Sequence, residues 1–182
     1  MNNLDLFELQ LLPYFKLNDV IFKELRKPKI NFYNIKLFFE IMNTDIDIKD
    51  KVYQNTPLHY SSMYNNKELT EYLIERGATI NIKNLLDMSP LHYASNLVCE
   101  DVIEILIDNG ADVNLLDPDL KNPLMLYIEK GQKGSIIEMF IKSGVDLKHK
   151  DYYGKTVLEL AMSHNNKEAY SVLSKYIEIS DI

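Results

Sequence analysis

Four histidines and one cysteine are the side chains in this 182-residue sequence that most readily carry chemistry. His59 and His92 stand 33 residues apart, and two histidines could bind a metal or exchange protons as acid and base. His149 and His164 have no cysteine or carboxylate at ligand spacing. Cys99 has no histidine near it in the sequence to act as the base that a nucleophilic thiol needs. A passive, half-buried thiol is the favoured interpretation.

Acidic and glycine-rich motifs give no firmer sign of catalysis. Asp112, Asp117 and Asp119 could suggest a calcium loop, but the turn glycine and the distal bidentate glutamate are missing. We interpret this string as a solvated loop tip. The sequence also contains no glycine-rich phosphate loop and no nucleotide fingerprint. We therefore expect no enzyme activity, no cofactor and no metal site.

Composition limits the classes of partner. The net charge is −7, so nucleic-acid phosphates have no global attraction to the chain. No apolar run approaches the roughly 20 residues that cross a bilayer. The lone cysteine suits a reducing compartment, and Asp5 and Glu8 stand where a secretory signal would be positive. We expect a cytoplasmic protein that binds neither nucleic acid nor membrane.

Lysine dominates the basic residues, because Arg26 and Arg76 are the only arginines. Asparagine, isoleucine and tyrosine are also plentiful, and all four residue types have AT-rich codons. This bias is consistent with a large DNA virus, a protist or an AT-rich intracellular bacterium, and it does not choose among them.

Two short strings recur along the chain with a period of 33 or 34 residues. The first string is TPLHY at 56–60, SPLHY at 89–93, NPLML at 122–126 and TVLEL at 156–160. The second string is NTDID at 43–47, GATIN at 77–81, GADVN at 110–114 and GVDLK at 144–148. Two strings that keep one period indicate a repeat architecture.

Each string has a local physical reason. The first begins with a residue that can cap a helix, and in three copies a proline follows at the first helical position, where its missing N–H costs nothing. The second begins with glycine, or with asparagine at 43, and these residues readily adopt the left-handed conformation found just past a helix end. The strings therefore predict where one helix begins and another ends.

The pattern resembles the ankyrin repeat family over about residues 31 to 177. The resemblance implies an all-α solenoid of stacked helix-turn-helix units with short β-hairpin tips at 51–55, 85–88, 118–121 and 152–155. It predicts an N-terminal part at 1–55, repeats at 56–88, 89–121 and 122–155, the last with a one-residue insertion, and a capping unit at 156–182. Within the N-terminal part we expect a lid helix at 4–12, a first helix at 17–27, and a second helix containing Ile35, Phe38 and Phe39.

The resemblance also assigns structural residues and shows departures. It makes His59 and His92 hydrogen-bonding partners of neighbouring loop backbone, and it makes Asn81 and Asn114 ties between successive arms. Only the last tip carries the family's glycine, Gly154; Gln54, Asp87 and Leu120 stand there in the others, which leaves open whether those tips turn as tightly. Tyr127 replaces a small residue, so local repacking is expected in the third repeat.

The resemblance implies binding of a protein partner in the groove formed by the tips and the ends of the first helices. The predicted partner-binding residues are Val52, Tyr53, Met63, Tyr64, Leu85, Leu86, Met88, Leu97, Tyr152 and Tyr153. One alternative is that the N-terminal helix folds over this groove, or that the register assigned to these positions is off by one residue. We expect a monomer, and a viral or pathogen factor acting on host proteins fits the AT-rich residue usage. A second alternative is a targeting array from a larger protein, whose C-terminal domain, for example an F-box-like ubiquitin-ligase adaptor, carries the effector function.

Overall fold

The computed structural model describes residues 14–27, 32–131 and 134–180, and this part of the chain contains ten α-helices and no β-strand. The N-terminal pair is α1 (Tyr14–Leu25) and α2 (Phe32–Met42). The following pairs are α3 (Pro57–Met63) with α4 (Lys67–Glu75), α5 (Pro90–Asn96) with α6 (Glu100–Asp108), α7 (Pro123–Glu129) with α8 (Gly134–Lys142), and α9 (Val157–Ser163) with α10 (Lys167–Ser180).

The helices stack in two layers. The inner helices α1, α3, α5, α7 and α9 pack each on the next, and so do the outer helices α2, α4, α6, α8 and α10. One hydrophobic core runs between the layers, from Ile21 and Phe39 at the N-terminal end to Leu173 at the other. This arrangement confirms the predicted all-α solenoid.

The inner helices begin where the first string predicts. Pro57, Pro90 and Pro123 are the first residues of α3, α5 and α7. Before α7, the Asn122 side chain accepts a hydrogen bond from the Met125 amide at 3.0 Å, which satisfies a free N–H of the first turn. Short seven-residue helices are thus fixed in register by their own caps.

The left-handed residues after the outer helices are also as predicted. Gly77, Gly110 and Gly144 have φ of 85°, 89° and 82°, and Asn43 follows α2 with φ of 46°. This conformation ends each helix and turns the chain into the arm that leads to the next tip.

The arms are tied together by asparagine side chains. Asn81 donates to the Gly110 carbonyl at 3.3 Å and accepts from the Asp112 amide at 2.8 Å. Asn114 repeats both bonds to Gly144 and Asp146, one unit further along. The predicted ties are confirmed, although both asparagines are exposed rather than buried.

Tyr127 repacks the third unit as the sequence predicts. Its ring is fully buried, and its hydroxyl crosses to the preceding unit and donates to Glu100 at 2.8 Å. A small residue at this position would leave the space between α6 and α7 unfilled.

The N-terminal pair differs in detail from the expectation. The first helix spans Tyr14–Leu25 rather than 17–27. Ile35, Phe38 and Phe39 are buried on α2, as predicted. The predicted lid helix at 4–12 lies outside the described residues.

A left-handed residue also follows each inner helix of the four units, and this yields a stability prediction. Asn65, Gly131 and Asn165 fill this position in three of them, but the position after α5 holds Val98 at φ of 60°. A β-branched residue is disfavoured there by about 1–2 kcal/mol.

We expect Val98→Asn to raise the free energy of unfolding by about 1 kcal/mol, because the relief of backbone strain exceeds the loss of the partly buried contacts of the valine side chain. Urea denaturation would measure it, and the reciprocal change Asn165→Val should destabilise. Equal midpoints for all three proteins would contradict this explanation.

Candidate functional surface

Each loop between units closes as a tight turn, named here tips 1 to 4 (residues 50–55, 84–88, 117–121 and 151–155). The amide of the first residue of each tip donates to the carbonyl of its last residue, over 2.9 to 3.1 Å. Tip 1 contains one residue more than the others, as the sequence indicates. The short hairpins predicted from the sequence are therefore tight turns, each closed by a backbone hydrogen bond between its first and last residues, and none of the described residues forms a strand.

A buried aspartate or asparagine organises every tip. These four residues are Asp50, Asn84, Asp117 and Asp151. In tip 1, the Asp50 carboxylate accepts from the amides of Val52 at 2.7 Å and Tyr53 at 2.8 Å, and from the Tyr60 hydroxyl at 2.9 Å. Burial alone would raise the pKa of Asp50, but these donors outweigh it and hold that pKa below its usual value.

Asp117 does not have the role predicted for it. The sequence placed it in a solvated tip, but its side chain is buried and accepts from the amides of Asp119 and Lys121 at 2.9 and 2.8 Å. Burial raises the pKa of Asp117 above its ordinary value. Its carboxylate is a structural part of tip 3.

The tips without glycine turn as tightly as the one that has it. Gln54, Asp87 and Leu120 adopt φ of 58°, 54° and 57°, in the same left-handed region as Gly154 at 75°. This conformation costs a non-glycine residue about 1–2 kcal/mol. The organising bonds of each tip hold it in place.

Neighbouring tips are joined by backbone hydrogen bonds, with one gap. The Leu85 amide donates to the Tyr53 carbonyl at 2.9 Å, and the Tyr152 amide donates to the Asp119 carbonyl at 2.8 Å. The equivalent donor in tip 3 would be residue 118, which is proline and has no N–H. Among the described residues, the Leu86 carbonyl that this donor would reach accepts no hydrogen bond.

Most of the predicted partner-binding residues are exposed. Eight have relative exposures between 38% and 72%: Val52, Tyr53, Tyr64, Leu85, Leu86, Leu97, Tyr152 and Tyr153. Met63 and Met88 are less exposed than these eight, since both are half-buried, and Met63 packs against the core. Leu120 is 45% exposed on tip 3 and was missed, because it occupies the slot that glycine fills in tip 4.

We call the exposed apolar side chains of the four tips the tip ridge; they are Val52, Tyr53, Leu85, Leu86, Leu120, Tyr152 and Tyr153. Every tip contributes at least one of them. Monomeric proteins rarely leave a contiguous apolar patch of more than a few hundred Å² uncovered unless it binds something.

The N-terminal pair reaches the first full unit beside this ridge. The Tyr64 hydroxyl donates to the Arg26 carbonyl at 3.1 Å. The Arg26 side chain donates to the Tyr60 hydroxyl at 3.1 Å, which in turn donates to Asp50. Tyr64 therefore has a structural partner as well as an exposed ring face.

The two repeated histidines are buried structural residues. Nδ1 of His59 accepts from the Thr56 amide at 3.1 Å, so the proton resides on Nε2, which donates to the Met88 carbonyl of tip 2 at 3.1 Å. His92 repeats the first bond, while its buried Nε2 lies toward the Lys121 backbone without a hydrogen bond of good geometry. Burial lowers the pKa of each to about 4, so both are neutral near pH 7.

Cys99 and the acidic side chains were the other candidates for reactive or metal-binding groups. Cys99 is buried, and burial raises the pKa of its thiol, as a passive cysteine requires. Within residues 14–27, 32–131 and 134–180, no three His, Cys, Asp or Glu side chains come together as a metal-binding group. The helices of the same ranges include none long and apolar enough to cross a membrane.

Stacked helix pairs with organised tips define a solenoid built from repeats. The family model of ankyrin repeats, in three copies, matches residues 29–117 and 101–181. The chain belongs to the ankyrin repeat family. Ankyrin repeats are generally protein–protein interaction modules and are typically non-enzymatic. A search of curated proteins found no match to this sequence.

Proposed function

We propose that this protein is a non-enzymatic binding module that holds a partner protein against the tip ridge and the exposed ends of the inner helices. The observation that carries the proposal is the exposure of large apolar side chains on all four tips. Tyrosine is favoured at interfaces, because its ring provides contact area and its hydroxyl a polar contact. The predicted residues Tyr64 and Leu97 follow the C-terminal ends of α3 and α5, opposite the ends that adjoin the tips, so they extend this surface along the inner helices.

The cellular setting is part of the same proposal. The AT-rich residue usage is consistent with a viral or pathogen factor acting on host proteins in the cytosol, and we propose that the protein acts as a monomer. With a net charge of −7, it does not select nucleic acid. In the alternative, the same surface is the targeting part of a larger protein.

A pair of variants tests the proposed surface. We expect Leu86→Ala to weaken partner binding by about 1–3 kcal/mol, in the range of a buried interface anchor. Its effect on the unfolding midpoint should stay within about 0.5 kcal/mol, because the side chain lies on the surface. Tyr33→Ala is the control, since Tyr33 is a large apolar side chain that is also exposed but lies on α2, away from the tips.

The measurement begins with capture from a lysate of the native cell, using each immobilised protein and identifying retained proteins by mass spectrometry. The affinity of each recombinant candidate for the three proteins is then titrated. A partner retained by the wild type and by Tyr33→Ala, but lost with Leu86→Ala, is the expected result. Equal affinity of all three proteins would show that the partner binds elsewhere.

A further inference from the structure

Charged residues are unevenly distributed along the solenoid, and two of its five described outer helices are acidic. The outer helix α6 carries four carboxylates and no basic residue, and α4 carries three glutamates against one lysine. Exposed lysines stand instead at the two ends of the tip ridge: Lys49 and Lys51 at tip 1, and Lys150 and Lys155 at tip 4. An acidic protein thus offers positive charge beside its apolar ridge.

A cavity of about 280 Å³ lies at the tip 1 end of the ridge. Its lining includes Asp19, Arg26, Lys49, Asp50, Lys51 and Val52. Lys51 is paired with Asp19 at 2.9 Å, and Arg26 is engaged by Tyr60 and Asp50. In the described part of the chain the Lys49 ammonium has no ion pair, so it is the cation available to an incoming carboxylate.

The tip 4 end is also basic. Lys150 and Lys155 are exposed, and neither forms an ion pair with any described residue. The hydrogen bond from the Thr156 amide at 2.7 Å, together with the charges of Lys150 and Lys155, lowers the pKa of Glu159. A second carboxylate of an incoming partner would therefore be attracted to this end of the ridge.

The middle of the ridge has a different character. Lys83 is paired with Asp87, and Lys121 with Glu129 at 2.7 Å, so these lysines are used internally. Asp119 is exposed there and disfavours another negative charge. The ridge therefore suits an uncharged, apolar stretch in its middle.

The gap at Pro118 indicates the conformation of that stretch. The unpaired Leu86 carbonyl can accept a backbone N–H, which an extended segment has free and a helix uses internally. Inner helices stack about 8–10 Å apart, so tips 1 and 4 are about 27 Å apart. An extended chain covers that distance with about eight residues.

Resting on the proposed function, we infer that the tip ridge binds an extended segment of a partner protein in which a mainly apolar stretch of about eight residues is flanked by acidic residues. One flanking carboxylate binds at Lys49, and the other binds between Lys150 and Lys155. The apolar side chains lie on Tyr53, Leu85 and Leu86.

The probe is a displayed library of random peptides of about 16 residues, selected against the intact protein at about 0.15 M salt. We expect enriched sequences with Asp or Glu on both sides of an apolar stretch. Binding of a synthetic consensus peptide should weaken about 5- to 10-fold in Lys49→Glu and in Lys155→Glu, and should weaken further with salt. The control is Lys67→Glu, an exposed lysine at the start of α4, which should change nothing. Thermal unfolding of each variant checks that it is folded.

The outcomes separate this inference from the proposed function. One outcome is that the peptides fail to bind Leu86→Ala and yet lack carboxylates, or bind both lysine variants as tightly as the wild type. That result would overturn the inference of an acidic partner segment and leave the ridge as the binding surface. Peptides insensitive to Leu86→Ala would overturn both, whereas the absence of any enriched peptide would overturn the extended acidic segment alone. Tighter binding of a nucleic-acid duplex than of the consensus peptide would assign the lysines to phosphate and contradict the inference.

Discussion

Lowering the pH from 7 to about 4 should destabilise the protein by on the order of 6 kcal/mol through His59 and His92 together. Burial lowers the pKa of each folded-state imidazole from 6.5 to about 4. Between these values the unfolded chain binds protons that the folded chain excludes, so stability is present above about pH 6.5 and is lost as the pH falls towards 4. Each histidine accounts for about 3 kcal/mol, since one pKa unit corresponds to about 1.4 kcal/mol.

Urea denaturation at a series of pH values measures this loss. His92→Met is the informative variant, because a buried methionine, Met125, fills the equivalent position on α7. The variant should be less stable at pH 7, since the Ser89 amide loses its acceptor, but its stability should fall only about half as much with acid. An unchanged unfolding midpoint between pH 7 and about pH 4.5 would show that the histidines protonate freely in the folded state.

Replacing the organising carboxylate of tip 1 is the second change with a large expected effect. Asp50→Ala removes the acceptor of three backbone amides, at 2.7 to 3.2 Å, and of the Tyr60 hydroxyl. Buried donors left without partners cost about 1–3 kcal/mol each and do not add fully, so we expect a loss of about 3 kcal/mol. Calorimetry or urea denaturation at pH 7 would measure it.

Two controls accompany this variant. Asp50→Asn should cost only about 1 kcal/mol, because Asn84 performs the same task in tip 2 with its amide oxygen. Asp112→Ala should stay within about 0.5 kcal/mol, since that carboxylate is exposed and, within the described residues, accepts a hydrogen bond only from the Asn114 amide. If Asp50→Ala is no more costly than Asp112→Ala, the carboxylate does not organise the tip.

The regular part of the fold could be predicted from local chemistry. Helix caps such as Asn122, N-terminal prolines such as Pro90, and left-handed glycines such as Gly77 act within a few residues of themselves. The helix ends that they determine can therefore be predicted from the sequence. The 33-residue period then places each helix pair against an equivalent one.

The organising residues of the tips were not predicted because their function depends on burial. Asp117 in a polar loop is typical of a solvated carboxylate, and only the packed tip shows that it accepts two amides. A sequence signal existed, because an aspartate or asparagine recurs five or six residues before the capping residue of each of these inner helices, at Asp50, Asn84, Asp117 and Asp151.

Contacts between distant residues account for the other differences. The bond from Tyr64 to Arg26 joins residues 38 positions apart, and nothing local to either residue indicates it. The effect of Pro118 likewise appears only when tips 2 and 3 lie side by side, because the missing N–H matters only opposite the Leu86 carbonyl. Sequence reasoning therefore located the exposed ridge and missed how its tips are connected.

Methyl NMR of the 21.2 kDa protein, labelled at isoleucine, leucine and valine, tests the central claim most directly. A captured partner, or the consensus peptide, is titrated into the labelled protein and the methyl shifts are followed. We predict that the methyl groups of Val52, Leu85 and Leu86 shift most, while those of Ile105 and Ile107 on the outer helix α6 stay in place. Shifts confined to Ile105 and Ile107, with the tip methyl groups unmoved, would contradict binding at the tip ridge.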